Sequence, residues 1–322
     1  MKIKTCILSF IISIFTVSGI FAEDKNVNEV DINLQTKFFE AIKNRDAVNV
    51  KKLLKNPRLN VNYDYGYLAP KNYKAIHYLL DPSKDPKTII GADNSIVKEW
   101  EDNLPEFVKA FIDRGANVNV VAERVDTPLH LLMLRLNTPV VKEVMNILVK
   151  KGGADVNIIG KRLAPAIFYV FRPSGRTKKD TDLLYKQMID YGAKTDMTAI
   201  NGCTLADVTA HLGYYDYFMQ FNNLLIENDN LREIPFLVAQ GSNNLCVSSL
   251  GQAPYNCDTV ANEEIREKEL AIKIEGWKKI LNWFKENSGD INALDPYGLT
   301  AMSYASPEIR KFFIEMMDAK EG

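Results

Sequence analysis

A short phrase that returns along the chain constrains this protein more than any other feature. Gly115-Ala116-Asn117-Val118-Asn119 recurs as Gly153-Ala154-Asp155-Val156-Asn157, more loosely as Gly192-Ala193-Lys194-Thr195-Asp196, and near the end as Gly289-Asp290-Ile291-Asn292. An earlier copy, Leu59-Asn60-Val61-Asn62, lacks the glycine. A second phrase keeps step with the first. Thr127-Pro128-Leu129-His130 begins eight residues after Asn119, Thr204-Leu205-Ala206 eight after Asp196, and Thr300-Ala301-Met302 eight after Asn292. Self-similarity at a period of a few tens of residues is the mark of like units laid side by side.

Local physics explains the phrases. A threonine at a helix N-cap is expected to accept a backbone N–H, and proline in the next position has no N–H to leave unpaired. Gly115 and Gly153 end the preceding helix because glycine takes the left-handed conformation there. Between the phrases lie apolar stripes. Val141, Val144, Met145 and Leu148 follow the i, i+3, i+4, i+7 spacing, as do Ile309, Phe312, Phe313 and Met316 in the helix opened by Ser306-Pro307-Glu308. One helix cannot bury such a stripe alone, but stacked neighbours can.

These residues resemble the ankyrin repeat, whose signature is Thr-Pro-Leu-His opening one helix and Gly-Ala-Asp-Val-Asn following the next. Thr127 to His130 and Gly153 to Asn157 match it in full; Ala164-Pro165-Ala166-Ile167, Ala75-Ile76-His77, Thr204 and Thr300 mark partial copies. The resemblance covers residues 35–318. It implies an all-α solenoid of stacked antiparallel helix pairs with hairpin-like finger loops. It also implies a non-enzymatic role, in which another protein is bound through finger loops and first helices.

Departures from the pattern are as informative. Thr127 to Ala164 is 37 residues and Ala164 to Thr204 is 40, against roughly 33 for an ankyrin unit. The excess reads as insertions. Arg172 to Lys179 is a loop within one pair, and the finger from Asn62 to Ala75 is long and carries Tyr63, Tyr65, Tyr67 and Tyr73. Residues 81–103 are expected to hold an extra short helix. A degenerate unit at 227–289 is expected to contain a first helix near 232–239, a loop bearing Cys246 and Cys257, and a long helix over 262–286. Leu270, Ile274, Trp277, Leu281 and Phe284 form that helix's stripe. About six or seven helix pairs result, with residues 319–322 as a tail.

The first residues read as an address. Lys2 and Lys4 precede an uncharged run from Cys6 to Ala22, the pattern of a secretory signal cut after Ala22, with a linker over 23–34. An uncleaved anchor is the alternative, and the sole expected contact with a membrane. Export makes the periplasm the first expected location and release from the cell the second. In an oxidising compartment Cys246 and Cys257, eleven residues apart, are a candidate disulfide, or else two unpaired thiols; Cys203 has no obvious partner.

Composition excludes more than it selects. Forty Lys and Arg against 41 Asp and Glu give a net charge of −1, with no pull toward nucleic acid. The chain lacks a phosphate-binding loop, a Gly-x-Ser-x-Gly elbow and a His-Glu-x-x-His pair, so no cofactor or metal is expected. His130 and His77 read as structural. Cys203, His211 and Asp207 form the remote enzymatic alternative. Candidate partner-binding residues are Tyr63, Tyr65 and Tyr67, for which packing is the competing reading, and the finger-tip cations Arg124, Lys161 and Arg162, for which it is simple solvation. The partner class is another protein; a secreted effector or a toxin-neutralising, immunity-type binder is the alternative form of the same role.

Overall fold

The computed structural model describes residues 31–65, 73–84, 95–122, 126–161, 164–171, 176–199, 202–223, 233–243 and 263–318. The leader, the tail, Tyr67, Arg124, Arg162, Cys246 and Cys257 lie outside them.

Helices come in consecutive pairs: α1 (Ile32–Lys43) with α2 (Ala47–Leu54), α3 (Ala75–Leu80) with α4 (Ser95–Asp113), α5 (Pro128–Leu132) with α6 (Thr138–Asn146), and α7 (Ala166–Val170) with α8 (Lys178–Asp190). Then follow α9 (Leu205–Leu212) with α10 (Tyr215–Phe221), α11 (Ile234–Asn243) with α12 (Glu263–Glu286), and a 3-10 turn (Ala301–Tyr304) with α13 (Pro307–Asp318). First members pack on first members, α1 on α3, α3 on α5, α5 on α7, α9 on α11; second members do the same, α2 on α4, α4 on α6, α6 on α8, α10 on α12, α12 on α13. The chain is an all-α solenoid.

Burial follows the stripes. Val141, Val144, Met145 and Leu148 are fully buried, and Ile309 and Phe313 likewise, with Phe312 half-buried beside them. The first helices α5 and α7 have only five residues and are apolar on every side, so they are buried all round. In four of the fingers a buried aliphatic side chain, Val61, Val118, Val156 or Ile291, pins the turn to the layer beneath.

Several local expectations are corrected. Asp31 caps α1 by accepting the Leu34 N–H at 2.9 Å, so the first helix starts at Ile32, three residues before the expected boundary. The 81–103 insertion holds a short 3-10 turn at Pro82–Lys84, and its end is the front of the 19-residue α4, which runs through Pro105 without stopping. Thr127 does not cap α5: its hydroxyl is drawn to His130 Nδ1 at 2.7 Å. Thr204 does cap, accepting the Asp207 N–H, while Asp207 Oδ2 accepts from the Thr204 N–H at 2.7 Å.

Unit length is adjusted at one helix end. The second finger is preceded by a single glycine, the third by Gly152 and Gly153. The added residue is absorbed by a π turn over Ile147–Lys151, where Gly152 N–H reaches back five residues to Ile147 O at 3.1 Å. Gly153 then takes the φ of +68° that Gly115 takes at +75°.

In the last three pairs the helices approach backbone to backbone. A Cβ on Gly241 would overlap the His211 carbonyl, and one on Gly276 would overlap the Gly213 carbonyl. These glycines let α11 and α12 lie directly on the end of α9, where Trp277 Nε1 donates to His211 O at 3.1 Å.

Candidate interaction surface

The fingers are held by a ladder of asparagine side chains. Asn62 Nδ2 donates to Gly115 O at 2.8 Å, and Asn62 Oδ1 accepts from Asn117 N–H at 2.8 Å. Asn119 repeats both bonds on Gly153 O and Asp155 N–H, at 3.0 and 2.8 Å. Asn157 repeats them again on Gly192 O and Lys194 N–H, at 3.0 and 2.8 Å. A carboxamide carries a donor and an acceptor side by side, so one side chain meets both the carbonyl and the N–H. The next position is Asp196, whose carboxylate can only accept, and the ladder stops there.

A histidine clamp lies under each of two fingers. His77 Nε2 lies 3.1 Å from Val120 O while its Nδ1 accepts from Lys74 N–H at 3.0 Å. His130 Nε2 lies 3.0 Å from Ala164 O. A carbonyl can only accept, so both rings carry a proton on Nε2, and the His77 ring, whose Nδ1 accepts from a backbone N–H, is neutral. Burial holds the His77 pKa down to about 4. Tyr169 OH donates to the buried Asp126 at 2.6 Å, and its ring meets the His130 ring edge-on.

On the opposite edge of the stack, buried arginines tie the ends of first helices together. Arg45 donates to Tyr78 O and Asp81 O at 2.7 and 2.9 Å, and Arg135 to Leu80 O at 3.0 Å. Arg176 donates to Val170, Met133 and Arg135 carbonyls at 2.7, 2.8 and 2.6 Å, which anchors the end of the Arg172–Lys179 insertion. Helix C-termini leave carbonyls unpaired, and a guanidinium satisfies several of them at once. These arginines carry no shared sequence spacing, so nothing in the one-dimensional pattern announced them.

A row of residues stands on the fingers at the second residue after each asparagine position. Val121 is half-buried, Ile159 is 40% exposed, Thr198 is exposed and Leu294 is 49% exposed. Lys161 stands exposed beside Ile159. The last finger is a tight hairpin organised by Asp295, which accepts from Tyr297 N–H at 2.8 Å, Leu299 N–H at 2.9 Å and Tyr304 OH at 2.6 Å. Those bonds hold the Asp295 pKa below the usual carboxylate range, the Tyr304 hydroxyl contributing most. Tyr297 at its tip is 85% exposed.

Of the tyrosine candidates among the described residues, Tyr65 lies in the core and Tyr63 is half-buried. Tyr65 is fully buried, stacked on Phe39 with ring centroids 4.4 Å apart, and Tyr63 is half-buried with its edge against Tyr65. Tyr65 is therefore a core residue, drawn in by the apolar face of α1. Among the first helices, α5 and α7 expose no residue, while Ile32 of α1 is 60% exposed.

The Cys203, His211 and Asp207 set is not assembled into a site. Cys203 stands before the Thr204 cap of α9 and His211 in its last turn, about 9 Å along the helix from Leu205 at 1.5 Å per residue. Asp207 is committed to the Thr204 cap, and His211 is buried against the Leu237 backbone and Lys273. Cys203 is half-buried.

No protein-family model matches the chain, and no curated protein matches it. Solved structures do: one is the crystal structure of an ankyrin repeat protein, at 16% identity and a TM-score of 0.40, over 88% of this chain and 96% of that one. The superposition is loose, and the paired helices and finger ladder of this chain carry the assignment. The architecture is an all-α repeat solenoid.

Proposed function

We propose that this protein is a non-enzymatic protein-binding scaffold, exported by the leader at residues 1–22, which grips its partner along the finger row. The observation that carries this reading is the combination of fixed finger backbones with outward apolar side chains at Ile159 and Leu294. Apolar groups held rigidly in water contribute affinity without an ordering cost on binding. The near-balanced charge favours a protein surface over a nucleic acid as the object bound.

The test is capture from an envelope extract with the full chain as bait. Ile159→Asp should abolish capture of the retained protein while leaving the melting temperature within about 2 °C, as expected of an exposed position. Capture undiminished in that variant would remove the finger row from the reading. Fractionation with N-terminal sequencing should find the chain outside the cytoplasm and beginning at Glu23.

A further inference from the structure

The devices that join one unit to the next stop together in the middle of the molecule. Among the described helices, each first helix packs closely on the next first helix except α7 on α9, and each second helix on the next except α8 on α10. The asparagine ladder ends at Asp196, which has no amide to donate. The histidine clamp ends there as well. Ile167 of α7 occupies the place that His77 and His130 hold in the two units before it, and a hydrocarbon side chain offers no donor to the following finger.

Polar contacts across this join gather at one edge. Tyr217 donates to Asp182 at 2.7 Å, Glu269 accepts the Lys178 N–H at 3.1 Å, Tyr214 is hydrogen-bonded to Thr181, and Lys178 Nζ lies 3.6 Å from Asp216. Lys178, Thr181 and Asp182 all fall in the first two turns of α8. The finger of that unit leaves from the other end, past Asp190, about 18 Å away at 1.5 Å per residue. There the chain crosses to α9 through the exposed turn at Gly202, whose φ is +83° and whose surroundings are open within 4 Å. Rings fill the space between. Tyr217 meets Phe171 and Tyr185 edge-on with centroids 5.0 and 4.8 Å apart, and Phe221 meets Tyr185 at 6.1 Å. Ring contacts stay favourable over centroid separations of roughly 4.5 to 7 Å, whereas a hydrogen bond is lost within about half an ångström.

Resting on the finger-row reading above, we propose that this join is a hinge. The rear half, α9 to α13, swings about the edge at Lys178 to Asp182, where the polar contacts hold, while the rings slide and the turn at Gly202 pivots. The swing sets the distance between the front fingers, which carry Ile159, and the rear finger, which carries Leu294. The row is thereby adjustable, and a partner that touches both parts selects one angle from those the free chain visits.

Double electron–electron resonance on the full chain measures the swing. Spin labels at Lys109 of α4 and Asn282 of α12 span the join, and labels at Lys52 of α2 and Lys109 form the control pair within the front; all three residues are exposed and lie toward the finger ends of their helices. Attaching the labels to noncanonical side chains leaves the cysteines untouched. The pair across the join should give a distance distribution at least about twice as wide as the control pair. Tyr217→Phe removes one contact yet leaves Asp182 its partner Lys178, and Glu269→Ala removes another. Each should widen the distribution across the join further while the control pair, which reports that the front is folded, stays as it was. A distribution across the join as narrow as the control overturns the proposal, and so does one that neither substitution alters. A narrow distribution together with capture lost in Ile159→Asp would remove the hinge and leave the finger-row reading standing. A wide one that both substitutions widen, with capture undiminished in Ile159→Asp, would keep the hinge and remove that reading.

Discussion

The front of the molecule, α1 to α8, and its rear, α9 to α13, solve the same stacking problem by different means. In front, neighbouring units are joined by side chains reaching to backbone: Asn62, Asn119 and Asn157 on the fingers, His77 and His130 beneath them, Arg45, Arg135 and Arg176 on the far edge. In the rear, glycines let backbones touch at Gly213, Gly241 and Gly276, and one 24-residue helix, α12, spans the set. The regions meet at an aromatic cluster of Phe171, Tyr185, Tyr214, Tyr217 and Phe221, just where Asp196 ends the ladder. Polar braces cross the join: Glu269 of α12 accepts the N–H of Lys178 at the start of α8 at 3.1 Å, and Tyr217 of α10 donates to Asp182 of α8 at 2.7 Å. Side-chain joins tolerate units of unequal length, whereas backbone joins demand one fixed distance.

That contrast can be broken most forcefully at the glycines. Gly241→Ala or Gly276→Ala should cost about 3 kcal/mol, because the added methyl meets a carbonyl that cannot move alone. Gly115→Ala should cost only about 1 to 2 kcal/mol, since nothing lies within 4 Å and the penalty is the φ of +75°. Urea denaturation of the three variants gives the ranking; equal losses would erase the distinction.

Acid is the next lever. Burial lowers both the His77 and the His211 pKa to about 4, below the ordinary 6.5. Between those values the unfolded chain binds protons that the folded one refuses. Stability is therefore lost as pH falls from about 6.5 toward 4, by up to about 3 kcal/mol per ring. His211 faces Lys273, which adds repulsion to a new positive charge, whereas His77 faces Asp81, which relieves it. Hydrogen exchange at pH 5 should show the rear half opening before the front half.

Smaller effects probe the ladder itself. Asn119→Asp keeps the acceptor for Asp155 N–H but removes the donor to Gly153 O, at an expected cost of about 1 kcal/mol by thermal or urea unfolding. Asp196→Asn restores a donor where the ladder ends and should change stability by no more than about 0.5 kcal/mol. A larger gain would show that the ladder extends past the join.

The repeat phrases made the architecture legible because each phrase marks a helix start or stop, and those are local backbone events. The stripe over Leu270 to Phe284 was readable for the same reason: α12 runs Glu263–Glu286 and buries Trp277, Leu281 and Phe284, with Leu270 and Ile274 half-buried. Contacts between units were less readable. The asparagines stood in plain view as a motif, but their bonds reach 53, 34 and 35 residues away. The placement of Tyr65 depended on Phe39, 26 positions upstream, which no local pattern links to it. The arginines were least legible, since Arg45 serves the following unit and Arg135 the preceding one.

The π turn at the end of α6 has a wider consequence. A single extra codon there lengthens the unit yet leaves Asn157 in phase with Asn119, because the helix swells by one residue instead of passing the shift along. Such a vernier lets a gene drift in length, one triplet at a time, while the row of tips stays aligned.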